Sequence, residues 1–188
     1  MNFKVVLALA ILPSFLPAQE VTWDQLDKAQ EERKTTTAIE IAGQLKKQEI
    51  AAENWGLASL AIVREIIAKA QLDDGREKIL ANLDREIANA PEAMRPALWA
   101  LRGAWLRNAI NTWRWRSSAS SNEAELADPE NLDVTTWSEA RKFHEAIRSY
   151  VKALESPERL QSLTLDDFDG LLRAGALDPE ARPTFYDF

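Results

Sequence analysis

Between Pro91 and Arg116 the chain reads PEAMRPALWALRGAWLRNAINTWRWR, and this stretch limits what the rest can fold into. It holds four of the seven tryptophans: Trp99, Trp105, Trp113 and Trp115. Trp99, Gly103, Leu106, Ile110 and Trp113 recur at helical spacing, and Leu98, Leu101, Trp105 and Ala109 form a second row beside them. A helix apolar over so much of its circumference needs neighbours on several sides, so this one is predicted to be central. Pro91 and Glu92 suit its first turn, where a missing N–H costs nothing and a carboxylate meets the positive end of the dipole. Pro96, one turn further in, is still near enough to the start to be tolerated. One buried tryptophan removes roughly 150–250 Å² from water. That is on the order of 4–6 kcal/mol before ordering entropy is subtracted.

The same four tryptophans also support a surface reading. Arg102, Arg107, Arg114 and Arg116 interleave with them, and arginines among aromatic faces can hold single-stranded nucleic acid or sugar rings. The formal net charge of -7 opposes a polyanionic partner, because phosphate binding needs a positive field over the contact surface. The core reading is therefore preferred, with a ligand-stacking face as its competitor. No nucleic-acid partner is expected.

Met1 to Ala18 has the three parts of a secretory signal peptide: Lys4, the apolar run from Val5 to Leu12 with Phe15 and Leu16, and the small residue Ala18 after Pro17. It is too short to span a bilayer, which takes roughly 20 apolar residues. No later run is long enough either. At 46% hydrophobic and 28% charged residues, the chain can build a core and does not have a disordered composition. The absence of cysteine excludes disulfides and thiolate metal sites.

From Thr22 onward the pattern is one of consecutive helices. Thr22 and Gln25 form a capping box over a first helix from Trp23 to about Lys34, broken by Thr35 to Thr37. Ala38, Ile41, Ala42, Leu45 and Glu49 trace a second. Trp55 to Ile67 gives a third, Asp73-Asp74-Gly75 a turn, and Ile79, Leu80, Leu83 and Ile87 a fourth. Short connections make such neighbours pack antiparallel. Trp23-x-x-Leu-x-x-Ala29 and Trp55-x-x-Ala-x-x-Ala61 lie 32 residues apart, near the period of tetratricopeptide repeats, but no third copy appears. Ser117 to Asn131 is polar, serine-rich and acidic, and is predicted as a linker. After it comes a helix over about Thr136 to Glu155, with Trp137, Phe143, Ile147, Val151 and Leu154 expected on its inner side and Pro157 ending it. A last short helix is predicted over Leu165 to Arg173.

Chemistry is sparse. Asp166, Asp167, Asp169 and Gly170 fail the calcium-loop spacing, because Leu165 and Ala176 fall at positions 1 and 12. His144 is the only histidine; it lies between Phe143 and Glu145 and lacks a triad context. Neither G-x-S-x-G nor a glycine-rich phosphate cradle occurs, and nothing selects one pair of carboxylates for acid–base work. No catalytic residue, metal or cofactor is expected.

Four blocks occur in order: Arg85 to Pro96 (REIANAPEAMRP), Asn111 to Arg116 (NTWRWR), Asp133 to Trp137 (DVTTW), and the tail with Leu171-Leu172 and Arg182 to Phe188 (RPTFYDF). Together they resemble the N-terminal region of bacterial alpha-2-macroglobulin-like proteins. Those are long secreted or periplasmic proteins that stack β-sandwich domains and trap proteinases when a bait region is cut. Many capture the proteinase through a thioester. Here there is no cysteine and no pattern of short alternating strands, so no functional residue is carried over. The resemblance implies a non-catalytic helical leader whose partners are the downstream macroglobulin domains of the same chain, with proteinases engaged only through regions missing here.

The expected fold is all-α, with antiparallel helical hairpins in a repeat-like stack around the tryptophan-rich helix. The expected layout is a signal peptide over 1–18, a hairpin bundle over 19–116, a polar linker over 117–132 and a C-terminal helical segment over 133–188 that continues in a longer chain. Two rival readings remain. One is a free-standing secreted helical module that binds a protein partner. The other is a carbohydrate- or cell-wall-binding module that uses Trp99, Trp105, Trp113 and Trp115.

Overall fold

A computed structural model describes residues 21–72, 75, 78–112, 133–163, 184 and 186. The predicted signal peptide, the linker, the helix expected at Leu165 to Arg173, and Trp113 and Trp115 lie outside these residues. The described residues form seven α-helices: α1 (Trp23–Glu31), α2 (Thr35–Ala51), α3 (Trp55–Leu72), α4 (Ile79–Asn89), α5 (Arg95–Thr112), α6 (Glu139–Ala153) and α7 (Pro157–Gln161). The all-α expectation holds.

Local signals explain most of the boundaries. The capping box at α1 forms as expected: Gln25 N–H donates to Thr22 Oγ1 at 3.3 Å, and Thr22 N–H donates to Gln25 Oε1 at 3.1 Å. The helix stops at Glu31, three residues short of Lys34, and Thr35 to Thr37 form the first turn of α2 instead of a break. The break is Arg33, whose φ of 56° lies in the left-handed region. Lys34 N–H donates to Ala29 O at 2.8 Å and Arg33 N–H to Gln30 O at 3.1 Å, the two bonds of a Schellman stop. The α2–α3 turn repeats the device at Glu53, φ 59°, with Asn54 N–H donating to Glu49 O at 2.9 Å.

The central helix also starts later than its sequence suggests. Pro91 to Met94 form a separate turn, closed by Met94 N–H donating to Pro91 O at 3.0 Å. Helix α5 begins at Arg95, which leaves Pro96 in the first turn, where no backbone donor is required. From there the all-round apolar pattern does what it predicts, and α3, α4, α6 and α7 all pack against α5. Leu98 and Leu101 join Leu60, Ile66, Leu83 and Ile87 in the main core.

Hairpin α2–α3 and pair α5–α6 are the two closest associations. Ala38, Ala42 and Leu45 of α2 pack with Ala61 of α3 and Leu26 of α1 in a second core. Glu49, buried at the end of α2, ties this corner together: it accepts the Trp23 indole N–H at 3.1 Å and the Asn54 amide at 2.8 Å. A buried carboxylate persists only when such donors replace its water. A third core joins Leu80, Leu106, Val134, Trp137 and Ala146, so Val134, Trp137 and α6 pack on α4 and α5.

Pro157 does not end α6. That helix is already closed at Leu154, and Pro157 opens α7. No helix among the described residues is long and apolar enough to cross a membrane.

Candidate functional site

Helix α6 starts where Ser138 Oγ accepts Arg141 N–H at 3.2 Å. Residues three and four apart share a side of a helix, and α6 sorts its residues into three rows on that rule. The first row is buried. Ala146 packs with Leu106, Ala153 joins the main core, and Ser149 accepts Arg102 Nη1 at 2.6 Å. This face carries the small residues Ala146, Ser149 and Ala153 beside Lys142, which is 1% exposed, and α5 meets it with Gly103, where a Cβ would lie 2.9 Å from the Tyr150 ring.

The row predicted to face inward instead faces solvent. Phe143 is 60% exposed, Ile147 47%, Val151 56% and Leu154 49%; of the inner set named from the sequence, only Trp137 is buried. The physical reason is the closeness of α5. At Gly103, where even a Cβ would meet the Tyr150 ring, the small side chains of Ala146, Ser149 and Ala153 let the two helices come close. An aligned, half-exposed apolar row is the kind of surface that marks a partner contact.

The third row is charged. Arg141, Glu145, Arg148 and Lys152 line one part of an open cleft of about 410 Å³, together with Asp84 of α4 and Trp99 and Arg102 of α5. Arg102 is its fixed element. Only 5% exposed, it donates from Nε to Asp84 Oδ1 at 2.7 Å and lies 3.5 Å from a Glu145 carboxylate oxygen. Its guanidinium carbon stands 5.5 Å from the centroid of the Trp99 ring. Ser149 passes its own proton on to the backbone oxygen of Glu145 at 2.7 Å, so one hydrogen-bonded chain joins α4, α5 and α6. Deeper in, Arg141 covers the face of Trp137 at 4.2 Å.

The rim is looser. Arg148 reaches Glu145 at 3.4 Å and Lys152 reaches Glu155 at 2.8 Å, with about two-thirds and just under half of their side chains exposed. Pairs of this kind contribute about 0–1 kcal/mol each. Both cations can therefore be redirected at small cost.

Of the four tryptophans singled out in the sequence, Trp99 lines the cleft and is half-buried. Trp105 is half-buried against the third core and away from the cleft lining. Trp113 and Trp115 fall outside the described residues. Trp137, Arg141, Arg148 and Lys152 were not marked as site residues, although the spacing of 141, 145, 148 and 152 (four, three and four) is a legible charged stripe. His144 is exposed, with Nδ1 3.8 Å from Glu145. Among the described residues no group of three His, Cys, Asp or Glu side chains converges as a metal site would require. The arrangement offers grip, through cations beside an aromatic face.

Comparison with known protein families, with curated proteins and with solved structures finds no match for this chain.

Proposed function

We propose that this chain is a non-catalytic helical docking module, the N-terminal part of a secreted or periplasmic alpha-2-macroglobulin-like proteinase trap. The observation that carries the docking role is the exposed row of Phe143, Ile147, Val151 and Leu154 on α6. Covering the exposed half of four such side chains is worth on the order of 3–5 kcal/mol, enough to seat a neighbouring domain whose linkage in the same chain already supplies a high effective concentration. The downstream macroglobulin domains are the occupant this reading assigns to that row.

The family assignment is supported by the ordered sequence blocks, some of whose residues are buried. Met94, Val134 and Trp137 are each at most 1% exposed. Buried apolar residues such as these serve packing and carry no chemistry, which fits a helical leader with proteinase capture located elsewhere in the protein.

The test is the mass of the native gene product, detected in source cells with an antibody to Pro91–Arg116. A product many times larger than 21.2 kDa, forming conjugates when proteinase is added, is the expected result. A product near the mass of this chain overturns the inhibitor reading and leaves a free-standing, repeat-like interaction module, for which the same exposed row would be the partner surface.

A further inference from the structure

The cleft between α4, α5 and α6 is separate from the exposed apolar row in both position and chemistry. We propose that it binds a neutral sugar ring, a ligand whose hydroxyls both donate and accept hydrogen bonds and whose C–H face is apolar.

The pairing of the charges points to a neutral ligand. Arg102 is held by Asp84 and Glu145, Arg148 lies 3.4 Å from Glu145, and Lys152 lies 2.8 Å from Glu155. Arg141 is 5% exposed and stands over the Trp137 ring at 4.2 Å. An anion would have to break these pairs and come to rest beside two carboxylates, whose repulsion it would meet at short range. A purely apolar ligand would strip water from Asp84 and Glu145 and return no hydrogen bond. A neutral ring with hydroxyls on its edge meets neither cost.

The paired groups still hold unused hydrogen-bonding capacity. An ionised carboxylate offers about four acceptor sites. Asp84 receives one close bond, from Arg102 Nε at 2.7 Å, and a weak one from Nη2 at 3.5 Å, and its side chain keeps 29% exposure. Arg148 turns Nη1 towards Glu145 and remains two-thirds exposed, so its other N–H donors are open to a ligand. Acceptors and donors therefore line one cleft, and neighbouring hydroxyls of a sugar can use one of each without separating an ion pair. Such charge-assisted hydrogen bonds are roughly twice as strong as neutral ones.

The apolar side of the ring is provided for as well. Half-buried Trp99 and exposed Ala88 form the wall against which its C–H groups pack. Arg102 is bonded to Ser149 at 2.6 Å and stands 5.5 Å from the Trp99 ring centroid. It holds both Trp99 and Asp84 in place, so binding has little to order. A volume of about 410 Å³ lies within the 300–1,000 Å³ range of small-ligand sites.

Saturation-transfer NMR of the full chain with cellobiose, maltose and N,N′-diacetylchitobiose, each at millimolar concentration, tests the proposal. At least one should bind, and cellobiouronic acid, which differs from cellobiose by a carboxylate, should bind no more tightly than cellobiose. The double variant Arg148→Ala, Lys152→Ala removes donors from the rim and should lose about tenfold in affinity with little change in Tm. Ala88→Arg, at an exposed position of α4, should fill the cleft and lose at least as much. Failure of all three disaccharides to bind overturns the proposal, as does tighter binding of the acid or wild-type affinity in either variant. These outcomes are independent of the native protein's mass, so this proposal and the inhibitor reading can fail separately.

Discussion

The ring of Tyr150 lies across Gly103: a Cβ built on the glycine would meet Cε1 and Cζ at 2.9 Å. This contact sets how close α5 and α6 come, and it fixes which residues of α6 can face inward. Gly103→Ala therefore carries two opposing terms. Alanine is better than glycine within a helix by about 1 kcal/mol, whereas overpacking costs about 1–3 kcal/mol. The net expectation is a loss of about 1 kcal/mol in urea unfolding. In a Tyr150→Ala background the clash is gone, and the same substitution should stabilise. A sign that does not reverse between the two backgrounds would remove Tyr150 as the cause.

The hydroxyl of Tyr150 is buried and finds no hydrogen-bond partner among the described residues. Burial pushes its pKa above the ordinary phenol value near 10, only partly countered by the positive charge of Arg107. A raised folded-state pKa means that the native state holds the proton more tightly than the unfolded chain does. The resulting stability is fully present below pH 10 and is lost as pH rises through the folded-state value. Tyr150→Phe should be neutral or slightly stabilising at pH 7, since an unpaired buried hydroxyl is removed. It should also flatten the alkaline limb of the stability–pH curve. A variant that keeps the wild-type alkaline loss would place that loss on another group.

How far the chain could be read in advance depended on which force decided each element. Helix α5 was legible because it is apolar on every side, and a central position follows from that alone. The face of α6 was misjudged because hydropathy favours Phe143, Ile147, Val151 and Leu154, whereas the buried side takes the small Ala146, Ser149 and Ala153 together with Lys142, which is 1% exposed. Glycine at 103 was visible but carried no mark of what it faced. The cleft is a long-range product: Asp84, Arg102 and Ser149 meet across up to 65 residues of sequence, and no local window contains such a triad.

Arg102 offers a direct test of that network. Removing one partner of a buried ion pair costs about 3–5 kcal/mol, but Asp84 retains 29% side-chain exposure and can recover water. Arg102→Ala should therefore cost about 2–3 kcal/mol, below that range. Arg102→Lys should recover little, because one ammonium group cannot satisfy Asp84 and Ser149 in the planar fork that arginine supplies. A lysine variant as stable as wild type would mean that charge alone, without the fork, holds the three helices.

Two turns store strain that can be released. Arg33 and Glu53 sit at φ 56° and 59°, each at the stop of a helix, where a side chain with a Cβ costs roughly 1 kcal/mol relative to glycine. Glycine also gives up more freedom on folding, a cost of about 0.5–1 kcal/mol that takes back part of the gain. Arg33 makes no ion pair among the described residues, and its backbone bond to Gln30 survives substitution. Arg33→Gly and Glu53→Gly are each expected to stabilise by about 0.5 kcal/mol. The sites close different hairpins, α1–α2 and α2–α3, so the gains should add in the double variant to within about 0.3–0.5 kcal/mol. Thermal unfolding of the two single variants and the double variant measures this. A loss of stability in either single variant would show that the side chain stabilises its turn more than the left-handed backbone strains it.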